Sequence, residues 1–346
     1  MKLEKKRILI TGAAGFIGAA LARELLKLDL YVTGIDNLNS YYDINLKKSR
    51  LDHIKDFSKN NLGSWSFYKI DIANEKSLKK VFIDFRPNIV VHLAAQAGVR
   101  YSLINPKAYI SSNLVGFCNV LELCKDFNII NFLYASSSSV YGGNKNLPYH
   151  ENQEVNHPIS FYAATKRSNE LIAHSYSHLY GLPSTGLRFF TVYGPWGRPD
   201  MAPMIFAKSI IDNEPIKIFN HGNMKRDFTY IEDIVKALVK CCSKVASPNK
   251  DFDPFLPESS SSFAPHRVFN IGNSQSINLM SFIDLLENAI GKKAKKIFED
   301  IQPGDVQETF ANNSSLEKWI GFKPRYSIEE GISEFAKWYI DYYKKF

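Results

Sequence analysis

The chain has little cysteine, no long apolar run and no acidic excess. Its four cysteines, Cys118, Cys124, Cys241 and Cys242, show no ligand-like spacing, which argues against a disulfide scaffold or a metal site. Cys118 and Cys124 fall in an apolar helical stretch and are expected to be buried thiols. No stretch of about 18 apolar residues occurs, and Met1–Lys6 lead straight into a strand-like run without the apolar region of a signal peptide. Neither a membrane span nor export is therefore expected, and a cytoplasmic location is. Lys and Arg outnumber Asp and Glu by 43 to 35, but the lysines are scattered or form short clusters such as Lys292-Lys293-Ala294-Lys295-Lys296. Such clusters read as a solvated face, with no aromatic platforms beside them, so no nucleic-acid partner is expected. A net charge of +8 suits an anionic small substrate.

What is present is an alternation of apolar runs and amphipathic segments. Strands are expected at 7–11, 31–35, 66–70, 89–93, 130–136 and 184–190, with helices near 17–28, 45–58, 75–85, 107–126 and 161–180. That order predicts a mostly parallel sheet covered on both faces. Beyond about residue 190 the pattern changes: helices at 202–213, 231–242, 279–290 and 328–343 accompany short strands at 216–219 and 268–272. Residues 245–265, rich in Pro, Ser and Asp, read as a long surface loop or a partly disordered insertion. The fold class expected is α/β, a Rossmann-type doubly wound parallel sheet with a smaller C-terminal α/β substrate-binding domain. Residues 1–190 would form mainly the first unit and 191–346 mainly the second, with some exchange of strands and helices and a pocket between them.

The first strand breaks into Gly12-Ala13-Ala14-Gly15-Phe16-Ile17-Gly18. Glycines at 12, 15 and 18 allow a tight turn that brings backbone amides, including those of Phe16 and Ile17 at the start of the next helix, close to a pyrophosphate. The second strand ends in Asp36-Asn37, 24 residues after Gly12, where a carboxylate can accept both hydroxyls of an adenosine ribose and favour NAD over a phosphorylated analogue. Asp71-Ile72 follows the third strand and approaches the adenine edge. Leu93-Ala94-Ala95 follows the fourth with small side chains that let a cofactor lie near the sheet. The polar and aromatic run 37–43 either covers the cofactor or merely connects elements.

Tyr162 and Lys166 lie four residues apart on one predicted helix face, and Ser137 follows the fifth strand. A phenol of pKa about 10 is a poor base at neutral pH unless nearby positive charge favours the phenolate. Lys166 and a nicotinamide ring would supply that charge. Tyr162 could then take an alcohol proton while hydride leaves the same carbon, Lys166 would hold the nicotinamide ribose, and Ser137 would hydrogen-bond the reacting oxygen.

The ordered set Gly12/Gly15/Gly18, Asp36-Asn37, Asp71-Ile72, Leu93-Ala94-Ala95, Asn113, Ser137, Tyr162/Lys166 and Arg226-Asp227-Phe228-x-Tyr230-x-x-Asp233 resembles the extended short-chain dehydrogenase/reductase family over nearly the whole chain. Within it, the chain looks most like nucleotide-sugar 4-epimerases acting on UDP-glucuronate. The resemblance implies tightly bound NAD, oxidation at C4 of the sugar, rotation of a 4-keto intermediate, re-reduction to UDP-galacturonate, and a homodimer formed through helices near 107–126 and 161–180. It casts Tyr162 as base and later acid, Ser137 and Lys166 as its partners, and Asn113 as a residue that maintains the active-site helix beside the cofactor. Arg226 would contact the UDP phosphates and Asp305 the uridine ribose, although Pro303-Gly304-Asp305 is also simply a turn. Gln302 stands where many galactose-type epimerases carry arginine.

Ser138 and Ser139 occupy positions where related 4,6-dehydratases carry an Asp-Glu pair, and serines cannot do a carboxylic acid's proton transfers at neutral pH. Dehydration and decarboxylation therefore rank below epimerisation. Arg198 and Thr191 would join Ser137 and Ser138 around the glucuronate carboxylate, for which a guanidinium offers a fixed donor fork. The bland reading of Arg198 is a loop ion pair. A 4-epimerase for UDP-glucose or UDP-N-acetylglucosamine, and an NAD-binding structural or regulatory protein, are the competing functions.

Overall fold

A computed structural model describes residues 1–344. Seven parallel strands form the main sheet: β1 (Arg7–Thr11), β2 (Tyr31–Asp36), β3 (Ser64–Lys69), β4 (Ile89–His92), β5 (Asn131–Ser137), β6 (Ser184–Phe189) and, from much later in the chain, His266–Ile271. Between these last two come β7 (Thr191–Tyr193), β8 (Pro215–Phe219) and β9 (Lys225–Tyr230), so His266–Ile271 is β10, followed by β11 (Ser276–Asn278) and β12 (Lys295–Glu299). The order β10-β6-β5-β4-β1-β2-β3 reverses direction between β1 and β4, and at such a reversal the loops at the strand carboxyl ends diverge and leave a crevice.

Side-chain alternation explains why the strands are apolar throughout. Ile8 and Ile10 of β1 enter one buried cluster, while Leu9 enters another with Val90 and Phe132. Both faces of the sheet are covered, so neither parity of position can be polar. Helices Phe16–Leu26 and Ile231–Ser243 pack together, and Glu75–Phe85, Gly116–Asp126 and Phe161–Tyr180 supply the other faces. Several helix starts are legible as caps: Asp43, Asn74, Ser160 and Asn278 each accept a backbone N–H from the first turn, and Ser327 forms a capping box with Glu330.

The remaining strands make two small sheets, β11-β9-β7 and the parallel pair β12-β8. Three expectations need correction. The helix expected near 107–126 is a four-residue turn, Pro106–Tyr109, a π-helical stretch, Ile110–Val115, and a regular helix, Gly116–Asp126. The lysine cluster is no solvated face alone: Lys293 and Lys296 pair with buried Glu287 at 2.7 Å, and Lys295 opens β12. Cys124 is buried, but Cys118 is only partly so, and all four thiols are unpaired. Strands β7, β9, β11 and β12 and helix Ser314–Ile320 carry too few residues with a clear period to have been predicted. Residues 245–265 run irregularly, with Phe255 and Leu256 exposed and Ala246 and Ala264 buried. Among the described residues no helix is long and apolar enough to cross a membrane.

Candidate active site

One cleft of about 960 Å³ follows the carboxyl edge of the large sheet and continues under the smaller sheets. It gathers Gly12, Gly15, Phe16, Ile17, Gly18, Asp36, Asn37, Asp71, Ile72, Leu93, Ala94 and Ala95 at one end, Ser137, Ser138, Tyr162 and Lys166 in the middle, and Thr191, Arg198, Arg226 and Asp305 beyond them. Of the residues given a catalytic or binding role from the sequence, Asn113 is the one that does not line it.

The first end has the shape of a dinucleotide cradle. Gly12 has φ +74°, and a Cβ there would stand 2.7 Å from the Ala94 nitrogen; one on Gly18 would stand 2.2 Å from the Gly12 carbonyl oxygen. The turn therefore closes onto the loop after β4 only because these side chains are missing. Helix Phe16–Leu26 has no side-chain cap, so its first amides remain available to an anion at the positive end of the helix. Asp36 accepts from the N–H groups of Ala14 (3.2 Å) and Leu38 (2.9 Å), and burial raises its carboxyl while these bonds and Lys47 draw it back. Asn37 donates to Asp71 at 2.8 Å. The run 37–43 joins the site: Asn37, Asn39, Tyr41 and Tyr42 all face the cleft.

In the middle, Ser137 ends β5 and Tyr162 opens helix Phe161–Tyr180. Burial raises the Tyr162 phenol, and the Ser137 hydroxyl and the Arg198 guanidinium pull it down. Ser137 also donates to Ser139 Oγ at 3.1 Å. Lys166 Nζ donates to the Ala135 carbonyl at 3.0 Å and lies 6.0 Å from the Tyr162 ring centre, and burial lowers its ammonium to about 8. Arg198, which also lines the cleft, adds a positive influence on the phenol.

Asn113 acts from behind. Buried in the π-helical stretch, it accepts from Gln96 N–H (2.8 Å) and donates to the Gln96 carbonyl and Thr165 Oγ1 (both 3.0 Å). Its own carbonyl accepts from Asn169 Nδ2 at 2.6 Å. It therefore ties the loop after β4 to the helix bearing Tyr162 and Lys166. A second tie is Glu170, one turn beyond Lys166: it pairs with fully buried Arg188 at 2.9 Å and accepts from Ser136 at 2.6 Å, fixing that helix to β5 and β6.

The far end is charged. Arg226 donates to the carbonyls of Lys225 (2.8 Å) and Gln307 (3.0 Å); burial lowers its pKa and Asp305 raises it. Asp305 accepts from Arg100 at 2.8 Å. Arg198 makes the ion pair expected of a loop arginine, with Asp200 at 3.0 Å from Nε, and still faces the cleft. Arg100 and Asp200 escaped the sequence reading, and Tyr41 entered it only as part of the run 37–43. Arg198-Pro199-Asp200 carried the signal for Asp200, an arginine and a carboxylate two residues apart, while Arg100 reaches the site through a loop whose path no local pattern records. Arg50 was likewise missed: almost fully buried, it donates to the carbonyls of Ala14 (3.0 Å), Trp196 (2.6 Å) and Gly197 (2.9 Å), joining the glycine turn to the loop that carries Arg198.

A doubly wound parallel sheet with a glycine cradle at its switch point and a Tyr/Lys helix beside it defines a dinucleotide-binding enzyme fold. The chain belongs to the NAD dependent epimerase/dehydratase family, whose profile matches residues 8–272. It is 54% identical to protein CapI of Staphylococcus aureus over 98% of this chain and all of that one. It is 43% identical to the probable UDP-glucuronate 4-epimerase of Rhizobium meliloti, over 98% of each. Among solved structures, the UDP-glucuronic acid 4-epimerase of Bacillus cereus in complex with UDP-glucuronic acid and NAD aligns with a TM-score of 0.84 at 32% identity, covering 97% of this chain and 99% of that chain.

Proposed function

We propose that this protein is an NAD-dependent UDP-glucuronate 4-epimerase that interconverts UDP-glucuronate and UDP-galacturonate. The observation that carries the reading is the convergence of Ser137, Tyr162, Lys166 and Arg198 in the cleft that begins at the glycine cradle. Bound NAD supplies a hydride acceptor at C4 that later becomes the donor. Gly12, Gly15, Gly18 and the amides of Phe16 and Ile17 would hold its pyrophosphate, Asp36 and Asn37 its adenosine ribose, Asp71 and Ile72 its adenine, and Leu93, Ala94 and Ala95 its flank.

Tyr162 removes the proton of the sugar's C4 hydroxyl and returns it after the 4-keto sugar has turned over. Ser137 donates to the same oxygen and stabilises the phenolate. Lys166, charged at neutral pH, holds the nicotinamide ribose, and Asn113 acts as a positioning residue for that helix. Arg226, with Arg100 beside it, supplies the positive charge that a pyrophosphate needs, and Asp305 receives the uridine ribose. Arg198, with Thr191, Ser137 and Ser138, holds the C5 carboxylate. Because a 4-keto glucuronate is a β-keto acid, that grip also keeps the carboxylate out of the alignment that loses carbon dioxide.

Residues 1–190 serve mainly as the NAD-binding unit and 191–346 mainly as the UDP-sugar unit, with β10 contributed back to the first. The exposed apolar residues Ile110, Val115 and Leu171 support a homodimer through helices near 107–126 and 161–180. Four unpaired thiols fit a reducing, cytoplasmic setting.

Incubation of the purified protein with UDP-glucuronate, UDP-glucose and UDP-N-acetylglucosamine, followed by chromatographic separation of epimers, tests the reading. UDP-galacturonate is the expected product, and preferred turnover of either neutral sugar would overturn the substrate assignment.

A further inference from the structure

Arg198, the group assigned to the sugar carboxylate, already carries a carboxylate of the protein. Asp200 accepts from its Nε at 3.0 Å through Oδ1 and from its Nη2 at 2.5 Å through Oδ2, and Tyr41 donates its hydroxyl to the same Oδ2 at 3.1 Å. All three side chains line the cleft. Burial alone would push the Asp200 carboxyl up, but the guanidinium overcomes it and holds the group below the usual carboxylate range, so it is ionised at neutral pH. The Nε and Nη2 edge of the Arg198 donor fork is filled by Asp200, and the side chain lines the cleft that a substrate would enter.

Resting on the assignment of UDP-glucuronate as substrate, we propose that Asp200 is a specificity-determining counter-ion that weakens the hold of Arg198 on the sugar carboxylate, so that the 4-keto sugar can turn over. Epimerisation requires both faces of C4 to meet the same hydride carrier, so the ring must turn while the nucleotide stays anchored. The C5 carboxylate turns with it and must leave Arg198 and find new contacts. A guanidinium without a counter-ion in a partly dry cleft would grip that carboxylate with strong, charge-assisted bonds. A second carboxylate across the same guanidinium repels the first; at an effective dielectric of about 20, reduced further by solvent at the cleft mouth, this loosens binding on the order of tenfold. Asp200 also lets the cleft rest without a naked cation, and Tyr41, from the loop after Asp36, holds Asp200 in register with the cofactor end.

The test uses the full NAD-loaded protein. Calorimetric dissociation constants are measured for UDP-glucuronate and UDP-glucose with Tyr162→Phe, which blocks turnover, with and without D200N. The amide keeps one acceptor oxygen for Arg198 and removes the charge. Expected is a roughly tenfold tightening for UDP-glucuronate with less than about a twofold change for UDP-glucose. In the protein with Tyr162 intact, D200N lowers KM and kcat for UDP-glucuronate together, and the near-ultraviolet absorbance of reduced nicotinamide rises during turnover. Weaker binding of UDP-glucuronate alone would show that Asp200 only orients Arg198, and an equal change for both sugars would show a general effect on the cleft; either outcome overturns the proposal. Failure of the wild-type protein to turn over UDP-glucuronate overturns the substrate assignment itself, independently of the ratio between variant and parent.

Discussion

Tyr162 sits where two opposed influences meet: burial disfavours its phenolate and keeps the phenol above its ordinary range, while Ser137 and Arg198 pull it partly back down. Tyr162→Phe keeps the ring and removes the proton carrier, so turnover is expected to fall at least about 100-fold while the NAD content of the purified protein, read by its release on denaturation, stays near that of the wild type. Ser137→Ala removes a hydrogen bond that favours the charged form, so the Tyr162 pKa rises. The ascending limb of the pH dependence of kcat/KM is therefore expected to move to higher pH. A limb that stays in place would remove Ser137 from the control of that proton. Both residues were identifiable by type and spacing, but the influence of Arg198 on Tyr162 was not: Arg198 belongs to a loop 36 residues further on, and only the folded chain brings it there.

At the scale of elements, the helix Phe161–Tyr180 is held by a buried ion pair. Burial alone would raise Glu170; Arg188, Ser136 and Arg167 reverse this and hold it at about 2. A carboxyl lowered from about 4.3 in the unfolded chain contributes stability that is fully present above about pH 5 and is lost as pH falls toward 2. Glu170→Gln leaves Arg188 without its counter-charge and is expected to cost about 3 kcal/mol, read from urea denaturation at neutral pH. Its stability should also fall less steeply than the wild type's on acidification below about pH 5. The strand-turn-helix at the start of the chain is equally specific. Gly12→Ala combines a left-handed backbone with a collision against Ala94, so the purified variant is expected to carry much less NAD, although its sheet, probed by circular dichroism, should form. Strand and helix periods made both elements legible. The π-helical turn at Asn113 was not legible, because its widened backbone is set by the side-chain bonds to Gln96 and Thr165 and by Asn169, all distant in sequence.

At the scale of the molecule, the apolar residues left outside on the π-helical stretch Ile110–Val115 (Ile110 and Val115) and on helix Phe161–Tyr180 (Phe161, Leu171 and Leu179) are consistent with a second copy covering them. Leu171→Glu places a charge in the centre of that face. Light scattering is expected to show the wild type as a dimer and the variant as a monomer, and a variant dimer of unchanged affinity would remove this surface from the assembly. The ordering of the chain in space also explains the cleft. Strands that follow one another in sequence leave β1 in opposite directions across the sheet, and β10, reached only after β7, β8 and β9 have been laid down, returns to close the far edge before β11 and β12 complete the two small sheets.

The sequence by itself determined the parallel sheet, the nucleotide cradle and the Ser137, Tyr162 and Lys166 constellation, because each rests on local chemistry: apolar runs of fixed period, glycines where a Cβ cannot stand, and two side chains one helical turn apart. Tertiary structure alone decided which charges face one another. Tyr41 on Asp200, Arg100 on Asp305, Arg50 on the carbonyls of two loops and Glu170 on Arg188 are pairings across distances that no sequence period spans. Electrostatic interactions depend on separation and burial in the folded molecule, and those quantities exist only once the loops have been brought together.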